Sequence, residues 1–468
     1  MIKQILQKLT PVEWNRLEKF VRSPYFNQRE DVIHLFDYLK QTYLKPGKNR
    51  VPWSDEACFI AVYPNLQFDK KKLQYLFSYL SKLVYQFLGQ EELQEQKVMQ
   101  TLAASRAFRK RNMTHQSEKM LQKAVKKQSR MTYRNQDQYW QNYQIEQERF
   151  QLSIKGQRRQ LDFEALYVPL TAFYITELLR YACVMQTYQT MTRQEYHPLL
   201  LDAVLEILQK GTYREEPAIQ LYFHAFLMLK QKDGTHHFDR VKADIQQFWQ
   251  QLPAAEVRDV YLFAINYCIR RLNAGERIFI QEAFGLYRQA LDQLVLLENE
   301  ELSAFTYKNI ARLGIALNQD DWVARFLEDW KGALNPQLRD NTYRYNMAYL
   351  HFQRKNYEQA MLLLRQVEFK DTLNNLDARR MLLRAYFELG AYQALESLLA
   401  SFTTYIHRQK HLGYQRENYL NLIRFVRRLL NPMNKAERNE LREAIEQTPA
   451  LAERKWLIEK VKGRGFNA

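Results

Sequence analysis

The sequence predicts an all-α protein, an elongated stack of antiparallel helical hairpins preceded by an N-terminal helical module. Three observations carry this expectation. Gly and Pro number only 13 and 12 in 468 residues, far below their usual shares of about 7% and 5%. These are the residues that break helices, Gly through backbone entropy and Pro through its missing N–H. No run of strict apolar and polar alternation is bounded by Asn-Gly or Asp-Gly turns, so strand signals are missing. The third observation is a helical-hairpin period that runs through the second half of the chain.

Elements can be justified in order. Thr10-Pro11-Val12-Glu13 is a helix start: Thr10 caps, Pro11 sits where its missing N–H costs nothing, and Glu13 closes a capping box. Ser23-Pro24-Tyr25-Phe26-Asn27 ends that helix, because a residue before proline avoids the α region. Its aromatics predict a packing corner. Asn27 with Glu30 restarts a helix, with Val32, Leu35, Phe36 and Leu39 at helical spacing. Pro46-Gly47 to Pro52 reads as a loop. Ser54 opens a short helix ending by Pro64, and Asp69 a long one through Leu88. The most apolar window, Leu166 to Met185, carries Glu177 and Arg180. A spanning helix needs about 20 residues nearly free of charge, so this window predicts a buried core helix.

The hairpin period is clearest in the aromatics that open each second helix. Trp322, Tyr357 and Tyr392 recur at a step of 35, and Phe238 and Ile280 hold the same place upstream at a step of 42. Small residues accompany them, Ala348 in a first helix and Ala360 in a second; Ala283, Tyr287 and Ala290 fit the second-helix pattern. These units resemble tetratricopeptide (TPR) repeats, which are helical hairpins of 34 residues. The departures are the longer step, Leu395 in place of a small residue, and few prolines at unit ends. The resemblance implies a divergent TPR-like α-solenoid over residues 216–430. One hairpin cannot bury both its faces, so such units stack. Arg106 to Lys127 has the same character, with Ala107, Ser117, Leu121 and Ala124 in register. The predicted organisation is an N-terminal helical module at 1–95, a basic helical middle region at 96–215, the solenoid at 216–430, and C-terminal capping helices with a flexible tail at 431–468.

Composition narrows the function classes. Cys58, Cys183 and Cys268 are far apart, which excludes a disulfide framework and a cysteine zinc site. The N-terminus lacks a long apolar stretch, so no signal peptide is expected. Together these predict a cytoplasmic protein with no membrane span. There is no phosphate-binding glycine motif. His407 and His411 share a helix face, but Arg408 and Lys410 lie between them where the general-base Glu of H-E-x-x-H would be needed. A solvated face is expected there, not a metal. His236-His237 reads as a helix start. Glu215-Glu216 and Glu300-Glu301 read as acids at helix N-termini, where the macrodipole favours them. The expectation is a non-enzyme with no cofactor and no metal, an interaction scaffold that binds a protein partner.

Two surfaces are candidates for that binding. The resemblance implies that groove residues fall on the first helix of each hairpin, which gives Tyr345, Tyr349, Arg380 and Arg384. Tyr and Arg are enriched in binding hot spots. The second surface follows from charge. The chain has a formal net charge of +17, which favours polyanions or acidic proteins. Residues 97–134 hold eleven basic residues against the single acid Glu118. Arg106, Arg109, Lys110, Arg111, Lys119, Lys123, Lys126, Lys127, Arg130 and Arg134 are therefore candidate contacts for nucleic acid or an acidic protein surface. A helix drawn through 119–134 places six cations within an arc of about 100°.

Overall fold

The architecture is that of a computed structural model, which describes residues 2–44, 53–155, 162–192, 194–367, 371–409 and 412–463. The Pro46–Pro52 loop, His411 and the end of the C-terminal tail lie outside the described residues. Helix accounts for 77% of the described residues. Two compact units are formed. One comprises residues 1–178 and 200–219, the other residues 179–199 and 220–468.

The first unit opens with α1 (Ile2–Leu6), α2 (Pro11–Val21), α3 (Glu30–Leu44), α4 (Asp55–Val62) and α5 (Lys70–Glu95). Local chemistry sets these boundaries. Thr10 and Glu13 close a capping box, Ser54 accepts from the Ala57 N–H, and Asp69 accepts from the Lys71 and Lys72 N–H groups, satisfying orphan donors at each start. Helix α5 runs seven residues beyond Leu88, through Glu95. At the corner after α2, Phe26 stacks on Phe20 with centroids 4.0 Å apart, while Tyr25 stays 88% exposed. Trp14, Phe36, Phe59, Leu76 and Leu80 are fully buried in the core beneath.

Next come α6 (Lys97–Lys110), α7 (Thr114–Gln128), α8 (Gln136–Lys155), α9 (Phe163–Thr192), α10 (Leu201–Gln209) and α11 (Pro217–Lys230). Helices α6 and α7 form a close hairpin. Ser105 Oγ donates to the Ser117 carbonyl at 2.8 Å and Ser117 Oγ donates to the Ser105 carbonyl at 2.9 Å, both buried. Only small side chains permit that approach. Among the described residues, no helix is long and apolar enough to cross a membrane.

The second unit continues with α12 (Thr235–Phe248), α13 (Ala254–Asn273), α14 (Phe279–Asp292), α15 (Ala304–Ala316), α16 (Asp320–Trp330), α17 (Arg339–Gln353), α18 (Tyr357–Leu364), α19 (Thr372–Glu388), α20 (Tyr392–Arg408), α21 (Gln415–Leu430), α22 (Lys435–Gln447) and α23 (Arg454–Gly463). Packing runs between neighbours in sequence: α15 with α16, α17 with α18, α19 with α20. First helices also meet the next first helix, α15 with α17 and α17 with α19. The turns within these three hairpins reuse one device, a left-handed residue after the first helix: Asn318, Lys355 and Gly390. Glycine suits that conformation because it has no Cβ. Ala348, Ala360 and Ala385 are fully buried. At Gly314 an added Cβ would lie 2.5 Å from a Val323 methyl, so α15 and α16 cross closely there.

Two expectations need correction. A two-stranded hairpin, β1 (Leu297–Glu298) and β2 (Glu301–Leu302), joins α14 to α15. Asn299 and Glu300 both have positive φ, as a two-residue turn of the primed kind requires. Glu300 and Glu301 therefore lie in a turn and a strand, not at a helix start, and Glu301 accepts from the Asn335 amide at 3.1 Å. Glu216 precedes α11 but accepts from the Tyr139 hydroxyl at 2.6 Å.

Candidate functional site

The basic stretch of the first unit divides into an inner and an outer set. Arg106 and Arg109 point from α6 toward α8 and meet Glu148. Arg109 is bidentate to that carboxylate at 2.8 and 3.0 Å, Arg106 approaches it at 3.8 Å and also bonds Gln144. The Glu148 side chain is only 1% exposed. Arg109 is thus paired within the fold, and Arg106, with a third of its side chain exposed, shares the same single carboxylate.

The outer set is exposed: Lys110, Arg111, Lys119, Lys123, Lys126, Lys127, Arg130 and Arg134. Arg111 donates to the Ala107 carbonyl at 2.9 Å, and Lys127 donates to Thr101 Oγ1 at 2.7 Å. The other six side chains have no carboxylate partner among the described residues. Lys119, Lys123 and Lys126 are spaced four and three residues apart, so they stand on one face of α7. Its opposite face buries Ser117, Leu121 and Ala124 against Val98, Leu102, Ile145 and Leu152.

The expected helix through 119–134 is interrupted. Helix α7 ends at Gln128, where Ser129 Oγ turns back to the Lys126 carbonyl at 3.2 Å. Such side-chain bonds compete with helix continuation. Asn135 Oδ1 then accepts from the Gln138 N–H at 3.3 Å and starts α8. Arg130 and Arg134 consequently stand on the connecting segment, with Tyr133 between them 41% exposed. An aromatic three residues from one arginine and adjacent to another is a readable sequence signal that the charge count alone misses.

The groove candidates of the second unit are arranged differently. Tyr345 is 2% exposed, so it is a core residue and not a groove wall. Its hydroxyl donates to Asp377 and accepts from Arg312 at 2.9 Å. Tyr349 is half-buried, with the Arg312 guanidinium 4.6 Å from its ring centroid. Arg380 pairs with Asp377 at 2.8 Å and with Glu453. Arg384 reaches the same Glu453 carboxylate at 2.9 Å and lies over Phe352 at 5.0 Å. Burial pushes the Asp377 carboxyl up, but Arg380, the Tyr345 hydroxyl and Arg312 outweigh it and hold it below the usual carboxylate range. Tyr349, Arg380 and Arg384 thus belong to one network, in which Asp377 and Glu453 pair with the arginines while the Nε atoms of Arg312 and Arg384 are buried without a hydrogen bond. Arg312, Asp377 and Glu453 complete it, and their roles depend on packing between segments far apart in sequence.

Elsewhere, burial holds the cysteine thiols protonated. Cys58, Cys183 and Cys268 are free and buried. Burial pushes the Cys58 thiol up to about 11 and the Cys268 thiol up to about 12, so neither supplies a thiolate at neutral pH. His224 and His237 approach through their Nδ1 atoms at 3.1 Å. Burial, followed by the neighbouring His237, lowers His224 to about 4. Among the described residues, no group of three or more His, Cys, Asp or Glu side chains is placed to hold a metal ion.

Comparison of the chain with family models, with curated proteins and with solved structures gave no match. The likeness to tetratricopeptide repeats rests on the residue spacing alone.

Proposed function

We propose that the chain is a non-enzymatic binding protein and that its working surface is the cationic face of α7 with the segment that follows it, which takes a polyanion. One observation carries this reading: Lys110, Lys119, Lys123, Lys126, Arg130 and Arg134 are exposed without a carboxylate partner among the described residues, beside two arginines of the same stretch that share one. Like charges at helical spacings of three and four repel by a few tenths of a kcal/mol per pair. An external polyanion relieves that repulsion and releases its own counterions. The test is retention on immobilised heparin under a salt gradient. The triple variant K119E/K123E/R130E should elute at distinctly lower salt than the unaltered chain while melting at the same temperature. Coelution of the two proteins would rule the surface out.

A second reading is a protein partner bound along the first helices of a divergent TPR-like solenoid. Support comes from the ordered packing of α15, α17 and α19 and from Tyr349, which remains half-exposed under Arg312. Tyr349→Ala should then weaken capture of that partner without a change in Tm. A cytoplasmic location belongs to both readings and is supported by three unpaired cysteines, as a reducing compartment favours.

A further inference from the structure

The cationic face has a feature that a plain electrostatic surface does not need. Residues 131–134 are not helical, so between α7 and α8 the chain carries an aromatic ring flanked by two guanidinium groups. Arg130, Tyr133 and Arg134 are all exposed. Tyr133 retains 41% of its surface, enough to offer a ring to a flat ligand. On α7, Lys119, Lys123 and Lys126 rise about 6 and 4.5 Å apart along the axis and lead toward that segment.

We infer that the polyanion is single-stranded nucleic acid, with Tyr133 as its base-stacking residue. This rests on the polyanion reading above. Arg130 and Arg134 contact backbone phosphates on either side of the stacked base, and the α7 lysines follow the strand. Single-strand binding proteins combine these two parts, a positive track for the backbone and aromatic faces for the bases. The stacked face is what chooses among polyanions. A duplex keeps its bases paired and turned inward, so it offers phosphate but no free base. An acidic protein or an anionic bilayer likewise offers charge without a base to stack. Stacking is tolerant of sequence, because every base has a π face, so no base preference is expected.

The probes are a fluorescein-labelled 20-nucleotide oligo(dT) and oligo(U), a labelled 20-base-pair duplex, labelled heparin, and vesicles of phosphatidylcholine with phosphatidylserine. Binding to the full chain is followed by anisotropy and, for vesicles, by co-sedimentation. The expected result is tighter binding of the single strands than of the duplex at equal salt. Tyr133→Ala should weaken single-strand binding by about 5- to 100-fold and leave heparin affinity unchanged. Tyr133→Phe should restore it. If Tyr133→Ala leaves single-strand affinity intact while K119E/K123E/R130E abolishes it, the polyanion surface stands and the stacking inference fails. Tighter binding of duplex, or binding of vesicles without nucleic acid, also overturns the inference. If heparin and single strands bind equally well to the unaltered chain and to K119E/K123E/R130E, the polyanion reading itself fails.

Discussion

The protein contains two clusters of basic side chains on helical hairpins, and they end in opposite states. In the second unit, Arg312, Arg380 and Arg384 are drawn into a network by Asp377 and Glu453, and aromatic rings cover their faces. In the first unit, Glu148 takes Arg106 and Arg109, and among the described residues no carboxylate pairs with the lysines on the far side of α7. The contrast teaches that residue type does not decide whether a cation is a contact or a strut. The decision lies with a carboxylate delivered from elsewhere in the chain. Glu148 lies 39 residues after Arg109, and Glu453 lies 69 residues after Arg384.

If this contrast is right, its largest energetic signature is at Glu148. Glu148→Ala leaves Arg109 unpaired against a site that is nearly dry, and breaking a buried pair from one side costs roughly 3–5 kcal/mol. Urea denaturation checks this, and a loss under about 1 kcal/mol would mean that the inner arginines find water or other partners. At Glu453 the expected cost is smaller, because that carboxylate is less deeply buried than Glu148, at 13% against 1% exposed, and Arg380 keeps Asp377. Glu453→Ala should cost on the order of 1–3 kcal/mol. It should be felt by the C-terminal helices, whose Trp456 packs edge-on against Phe387.

A third buried carboxylate sharpens the comparison by being poorly neutralised. Asp244 on α12 is 1% exposed. The Arg240 guanidinium lies 3.0 Å away but not along a hydrogen-bonding direction, and both carboxylate oxygens lack a hydrogen bond. Burial pushes the group up to about 6, against a partial pull down from Arg240. Its folded value lies above its unfolded one, so its contribution is full below about pH 4 and is lost as pH rises through about 6. Asp244→Asn should therefore raise stability at pH 7.5, by roughly 1–3 kcal/mol, and leave it unchanged near pH 3.5. Melting curves at the two pH values decide this. His224 works in the other direction. Its value is depressed to about 4, so its stabilising neutral form is present above about pH 6.5 and is lost as pH falls through 4. In the window from 4 to 6 the two groups oppose one another.

The smallest expected effect is at the outer cations. K119E/K123E/R130E should change stability by no more than about 0.5 kcal/mol, in contrast to the several kcal/mol at Glu148. A large loss would mean that these side chains hold the fold together.

Much of the architecture was legible because its signals are local. Thr10 with Glu13, Ser54 and Asp69 mark helix starts within three residues of themselves, and each cap is formed as expected. The step of 35 from Tyr357 to Tyr392 places both at the first position of a second helix. Charge counting also located the 97–134 stretch. It could not separate Arg109 from Lys123, because the difference is made by Glu148 on another helix. For the same reason Tyr345 reads as a groove residue in the sequence yet is enclosed by Arg312 and Asp377 in the fold. Helical periodicity alone overran the end of α7. The residues that break the helix, Ser129 with its back-bond and Asn135 with its cap, lie within the same run of cations.

The most direct test of the account is a salt titration of single-strand binding by the full chain, with Glu148→Gln, K119E/K123E/R130E and the unaltered protein side by side. Open cations should give a log–log plot of affinity against salt with a negative slope of about 0.7 for each phosphate neutralised. That slope should collapse in the triple variant and persist in Glu148→Gln wherever that variant remains folded. A slope near zero in the unaltered protein, or one that survives the triple change, would contradict the claim that the outer face of α7 is the open binding surface.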